Sequence, residues 1–159
     1  AKLLDADIVV TIDGDGQHDP KDIIKVIKPI INNQCDVVLS NRLIDGARIP
    51  LGKRIINLVG NFVTYVFYGI YVSDSQSGMR AYNKKALYSI NTTFDRYEYE
   101  SEIIKEIKVN KLIFKEVPIS IRYTDYSKNK YKNIKGFEAQ KILNGFRMIF
   151  RMIIKSITT

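Results

Sequence analysis

Two carboxylates with one residue between them, Asp13 and Asp15, stand in the run Ile12-Asp13-Gly14-Asp15-Gly16-Gln17-His18-Asp19-Pro20. The run closes a short apolar, β-branched stretch at residues 7–13 that reads as a buried strand. In open α/β sheets, ligands bind in the crevice beyond the carboxyl ends of the strands. The glycines let the backbone turn sharply there and come close to a ligand. Two carboxylates in such a crevice repel each other unless a cation sits beside them, and hard oxygen ligands suit Mg²⁺ or Mn²⁺. Mg²⁺ takes one or two protein carboxylates and completes its shell with waters and substrate phosphates. The chemistry implied is therefore the holding of a diphosphate through a divalent ion. An EF-hand loop counted from Asp13 fails, because it would need Gly where His18 stands and Glu where Ile24 stands. A zinc site fails too, since His18 is the only histidine of the sequence. A plain Asp/Gly turn without a ligand stays open on spacing alone.

The elements around this loop read as an alternation of strands and helices, which argues for an α/β layered domain with a mixed sheet. Asp19-Pro20 opens a helix that runs through Ile23, Ile24, Val26, Ile27 and Ile30, with lysines between them. Residues 36–40 form a second buried strand, 41–51 a loop, 53–68 a helix, and Ala81-Tyr82 begins a segment leading to a short helix at 84–88. A helix follows at 98–109, then an edge strand at 114–119, since Pro118 cannot donate to a ladder. Residues 1–6 read as the end of a helix leading into the first strand, with no leader pattern, so the chain reads as a piece lacking an upstream portion.

The 159 residues suit one domain, and 45% hydrophobic with 26% charged residues is ordinary for a protein with its own core. A single cysteine, Cys35, excludes an internal disulfide framework and fits a reducing, cytoplasmic setting. The formal charge is +8, and residues 121–159 hold nine Lys or Arg against two acids, so nearly all of it lies in the last quarter. Such a region suits an anionic surface, although the charge alone is better read as a solvated basic face. Residues 55–73 carry no charge and are about as long as a bilayer span requires. Asn57, Gly60, Asn61 and Thr64 interrupt them, which favours a buried or membrane-grazing helix. Residues 142–157 place Ile, Leu and Phe on one helical face and Arg147, Arg151 and Lys155 on another. A helix of that kind lies in a headgroup layer or packs on its own domain.

Four segments in fixed order lift the acidic loop above a common turn: Asp13-Gly14-Asp15-Gly16-Gln17-His18-Asp19-Pro20, Ser40-Asn41-Arg42, Asp74-Ser75-Gln76-Ser77-Gly78-Met79-Arg80-Ala81-Tyr82, and Glu116-Val117-Pro118-Ile119-Ser120. Together they resemble family 2 glycosyltransferases of GT-A fold, in the dolichol-phosphate mannose synthase-like and bacterial polyprenyl-phosphate sugar transferase branch. The likeness covers roughly residues 5–130, the expected metal- and acceptor-binding part of the catalytic domain, with 131–159 as a basic amphipathic helix region. The family's nucleotide-binding half has no counterpart in the sequence, so the chain by itself is expected to be inactive.

The resemblance implies a role for each matched residue. Asp13, Asp15 and Gln17 match the metal and diphosphate site, for Mg²⁺ or Mn²⁺. Arg42 matches an arginine near the donor and acceptor phosphates, and Ser77, Gly78 and Arg80 match a segment beside the acceptor pocket. Lys53, with Arg54 next to it, and Arg122 match further phosphate-binding cations. Glu102 matches a family glutamate, against the reading of a surface helix residue. The implied partners are a nucleotide-diphosphate sugar, a polyprenyl phosphate or saccharide acceptor, and an anionic membrane surface, with the protein peripheral on its cytoplasmic face. The implied transfer inverts the anomeric carbon, and Asp15, Arg42 and Glu102 are its catalytic candidates.

A phosphate acceptor is already nucleophilic at neutral pH and needs no base. A sugar hydroxyl would need one, for which Asp74 or Glu102 would serve. Two other classes remain open. The basic tail with Tyr123, Tyr126 and Tyr131 could track a nucleic-acid backbone, but no nucleic-acid motif is present and the acidic loop would go unexplained, so no nucleic acid is expected. An inactive relative serving as a scaffold is the other.

Overall fold

The computed structural model describes residues 1–42, 51–93 and 98–122. Four strands form one mixed sheet: β1 (Ile8–Thr11), β2 (Val37–Asn41), β3 (Arg80–Asn83) and β4 (Phe114–Pro118), in the spatial order β1-β3-β2-β4. β3 runs antiparallel to both neighbours, with Thr11 opposite Arg80 and Val37 opposite Tyr82. β2 and β4 are parallel, from Val37 opposite Phe114 to Asn41 opposite Pro118. So β1, β2 and β4 all end at the same side of the sheet, and β3 starts there. The Asp13 loop, Arg42, the 74–79 segment and residues 119–122 therefore converge on one edge.

The helices are α1 (Ile23–Ile31), α2 (Leu51–Tyr68), α3 (Lys84–Ser89) and α4 (Glu98–Val109). Side chains alternate across a strand, and the core divides accordingly. Val37, Leu39 and Tyr82 point to the face where Ile103, Ile104 and Ile107 of α4 pack. Val38 and Ala81 point to the opposite face, against Val26 and Ile30 of α1 together with Met79 and Ile119. The result is a helix–sheet–helix sandwich whose central strand β2 is buried at every residue.

The mixed α/β sheet, the second strand, the helix at 98–109 and the edge position of β4 match the sequence expectation. Four points differ. Residues 2–4 form a 3₁₀ turn instead of a helix end. Helix α1 is preceded by a 3₁₀ turn, Pro20–Asp22, whose cap is the Asp19 carboxylate accepting from the Lys21 N–H. β1 is half-buried and not buried, because it lies at the sheet's other edge. β3 is a strand where the sequence suggested only a lead-in to a helix; Arg-Ala-Tyr-Asn is short and lacks β-branched residues, and its neighbours on both sides impose the extended form. The amphipathic segment at 142–157 and the division at residue 130 lie outside the described residues.

Helix α2 is turned the opposite way from an ordinary surface helix. Asn57, Asn61 and Thr64 are buried, whereas Leu58, Val59, Phe62, Tyr65 and Val66 are exposed. The inward amide nitrogens share one partner: Asn57 and Asn61 both donate to the Ser73 carbonyl, and the Asn61 carbonyl accepts from the Ser75 N–H. No helix of the described residues is long and apolar enough to cross a membrane.

Candidate functional site

The loop leaving β1 is organised by its own side chains. The Asp15 carboxylate accepts from the Gln17 backbone N–H at 3.0 Å and from the Gln17 side-chain amide at 2.8 Å, closing a tight turn around Gly16 at φ 73°. A positive φ there favours glycine. His18 forms an isolated bridge with Ile121, and the Arg122 N–H donates to the Gln17 carbonyl. The Arg122 guanidinium pairs with Asp19 at 2.5 Å. The segment leaving β4 is thus laid along the acidic loop, which brings Arg122 to the site although more than a hundred residues separate them in sequence.

Asp13 is the residue on which neighbouring segments converge. Its carboxylate takes a 3.3 Å hydrogen bond from His18 Nε2 and lies against the backbone of Gly78. The Gly78 carbonyl accepts from Thr11 Oγ1, and the adjacent Ser77 hydroxyl meets Ser40 Oγ at 2.5 Å. The His18 hydrogen bond holds the Asp13 carboxyl below the ordinary range against the opposing effect of partial burial, and the Arg42 and Arg80 charges act in the same direction. Asp13 is therefore ionised at neutral pH, with half of its side chain open to solvent.

At the end of β2, Arg42 grips Asp74 with a two-pronged contact, Nε to Oδ2 and Nη2 to Oδ1, each 2.7 Å, and the Arg42 N–H adds a third bond at 3.0 Å. Asp74 is wholly buried, and the fork fixes the plane of the guanidinium. Glu116 of β4 holds the same segment from the other side. Its carboxylate accepts from the Ser73 N–H and hydroxyl at 2.9 Å each, and more distantly from the Asp74 N–H and the Asn41 amide.

Residues 1–90 match the family model of glycosyl transferase family 2. The chain belongs to that family. Similar proteins extend the match. An uncharacterized protein of Methanocaldococcus jannaschii is 40% identical over 99% of this chain and 63% of its own length. The UDP-N-acetylglucosamine–dolichyl-phosphate N-acetylglucosaminyltransferase of Methanococcus voltae is 41% identical over 95% of this chain and 59% of its own. The undecaprenyl-phosphate mannosyltransferase of Micrococcus luteus is 20% identical over 87% and 58%. The chain spans about 60% of the length of these relatives. Its mixed sheet with flanking helices is part of the GT-A fold of family 2.

Of the family 2 residues singled out in the sequence, Asp13, Asp15, Gln17, Arg42, Gly78 and Arg122 lie at this one sheet edge. Ser77 and Arg80, expected beside a phosphate, are turned inward. Arg80 is buried, and its guanidinium donates to the main-chain carbonyls of Ser75, Ser77 and Glu100, so it braces the segment from within. Glu102 is buried and not a surface residue, and it accepts from the Thr93 N–H and hydroxyl. Lys53 and Arg54 fall near the start of α2, and their side chains lie outside the described residues. Among the described residues, no group of three His, Cys, Asp or Glu could hold a metal alone. A cation here would complete its shell from a bound diphosphate and water. The sequence suggests no role for Glu116, Asn61 or His18, and offers Asp74 as a base only for a hydroxyl acceptor; in the structure it is the buried partner of Arg42. The signal for Glu116 was present, because it opens the fourth matched segment.

Proposed function

We propose that this chain is the diphosphate- and acceptor-facing part of a glycosyltransferase that moves a sugar, with inversion, from a nucleotide diphosphate to a polyprenyl or dolichyl phosphate. The observation that carries the reading is the meeting of an ionised carboxylate loop with Arg42 and Arg122 at one sheet edge. Anionic oxygens on one side and guanidinium groups on the other suit two phosphates, one held through a cation and one held directly.

The residues fit Mg²⁺ or Mn²⁺. Asp13 and Asp15 are exposed hard-oxygen donors, and the Gln17 amide, whose nitrogen donates to Asp15, adds a carbonyl oxygen of the same kind beside them. When bound, the ion supplies charge stabilisation to the leaving diphosphate. The chain's own residues do the rest. Arg42, oriented by Asp74, and Arg122 place an anionic acceptor in line with the anomeric carbon, with Lys53 and Arg54 as further phosphate-binding cations. Ser77, Gly78 and Arg80 shape the wall behind Asp13. The phosphate acceptor is favoured over a hydroxyl because the two carboxylates that might act as base are engaged, Asp74 by Arg42 and Glu102 by Thr93. The names of the relatives from Methanococcus voltae and Micrococcus luteus, which include dolichyl phosphate and undecaprenyl phosphate, support the same acceptor class.

A lipid acceptor requires the enzyme at a membrane surface, here proposed as the cytoplasmic one, and the apolar outward face of α2 supports a peripheral position. The test uses the full-length enzyme with labelled UDP- and GDP-sugars and polyprenyl phosphate. Transfer to lipid in the presence of Mn²⁺, lost in Asp15→Ala, is expected. Undiminished transfer by Asp15→Ala would remove the metal-site assignment, and transfer only to a saccharide hydroxyl would remove the acceptor assignment.

A further inference from the structure

We infer that His18 is a positioning residue for Asp13: its imidazole fixes the direction in which that carboxylate faces a bound cation. The inference rests on the divalent-ion reading above and adds a residue to it.

His18 differs from its loop neighbours in burial. Its side chain is 3% exposed, whereas the Asp13 side chain it meets is 53% exposed. The ring is also held from behind, because its backbone bridges Ile121 while the Gln17 carbonyl next to it accepts from the Arg122 N–H. A buried ring on a pinned backbone is a fixed post, and an exposed carboxylate on a short side chain is the movable partner. Nδ1 has no hydrogen-bond partner among the described residues, so the proton that serves the site is the one on Nε2, directed at Asp13 Oδ2. On another side the carboxylate lies against Gly78, in the space that a Cβ on residue 78 would take. Asp13 is held between an imidazole that donates to Oδ2 and the backbone of Gly78, and about half of its side chain stays open to a cation. Partners of a ligating carboxylate orient it and set its affinity, and their removal typically costs about 10- to 100-fold in metal binding.

The experiment measures Mn²⁺ binding to the full-length protein by electron paramagnetic resonance, alone and with UDP or GDP, together with the melting temperature without metal. Wild type is compared with His18→Phe, which fills the ring's space without a donor, with His18→Gln, which restores an N–H, and with Asp15→Ala. We expect the Mn²⁺ dissociation constant to rise about 10-fold or more in His18→Phe and to recover most of that loss in His18→Gln, with both variants folded. Wild-type affinity in a folded His18→Phe would overturn the positioning role and leave the metal site standing. Equal binding by wild type and Asp15→Ala would overturn the metal site and the role together. Should His18→Phe fail to fold, nitrogen NMR of wild type decides: Mg²⁺ must shift the His18 Nε2 resonance in wild type but not in Asp13→Asn, and an unmoved resonance in wild type overturns the inference.

Discussion

The carboxylate of Asp13 fills the space in which a side chain on residue 78 would begin: a Cβ placed on Gly78 would run into the Asp13 carboxyl group. The need for glycine here comes from close approach, since Gly78 is not among the residues of positive φ. The 77–78 segment is held by Thr11 and Ser40, whereas the Asp13 side chain is half open, so the carboxylate must yield. Gly78→Ala is expected to cost about 1–3 kcal/mol in folding as an overpacking change, while displacing Asp13 from His18. Urea unfolding and Mn²⁺ titration separate the two effects. A variant that binds Mn²⁺ like wild type would show that Asp13 does not need this position.

Arg42 and Asp74 give the second prediction. Removing one partner of a buried pair leaves an uncompensated charge, typically a loss of about 3–5 kcal/mol, and Asp74 has no solvent access. Arg42→Ala, which strands the Asp74 carboxylate, should therefore destabilise strongly in urea. Arg42→Lys should be milder for the fold but should impair transfer, since lysine keeps the charge and lacks the fork that sets the guanidinium plane. Kinetics at varied acceptor concentration should show the loss in kcat/KM, and unchanged kcat/KM in Arg42→Lys would contradict the role given to the fork.

Glu116 acts at one remove. Its two oxygens take the Ser73 N–H and hydroxyl and steady the Asp74 N–H. Glu116→Gln replaces one acceptor with a donor facing donors. Faster amide exchange at Ser73 and Asp74 is expected, with a loss of transfer that follows the loosening of Arg42. Wild-type exchange at those amides would show that the segment is held without Glu116.

Much of the architecture could be read from pattern. The run Ile8 to Thr11, the run Val37 to Leu39 and the helical spacing in residues 98–109 carry the apolar periodicity that their packing requires. The site was legible where a residue type states its chemistry locally, as in Asp13-Gly14-Asp15. It was not legible where function arises from pairing across the sheet. Asp74 resembles a free carboxylate until β2 places Arg42 against it, and Arg80 resembles a phosphate binder until three carbonyls surround it. β3 escaped notice for the same reason: its extended form is imposed by two neighbours distant in sequence.

The outward face of α2 predicts a membrane response. Leu58, Val59, Phe62, Tyr65 and Val66 recur at helical spacing and are all exposed. A face of that kind enters the headgroup layer by burying apolar area. Phe62→Glu combined with Val66→Glu should reduce flotation of the full-length protein with lipid vesicles while leaving the melting temperature nearly unchanged, because neither side chain is in the core. Undiminished flotation would assign membrane contact to another part of the protein.

Asp36 supplies the pH dependence. Desolvation pushes its carboxyl up, but the Ile113 N–H, Lys85 and Asn83 together outweigh burial and hold it below the ordinary range. Its oxygens accept from Asn83 and Lys85 at the β3–α3 junction and from the Ile113 N–H before β4, so one carboxylate ties three elements to the start of β2. Because the folded pKa is depressed, the stabilisation is present above the unfolded value of about 3.9 and is lost as pH falls through the folded one. Lys85 is more than half exposed, so its share is small, and the buried amide bond dominates at about 1.5–3 kcal/mol for a hydrogen bond to a charged group. Asp36→Asn should thus be less stable than wild type in urea at pH 7, with the gap narrowing below about pH 4. A gap that stays constant from pH 7 to pH 3 would mean that ionisation of Asp36 contributes nothing to stability.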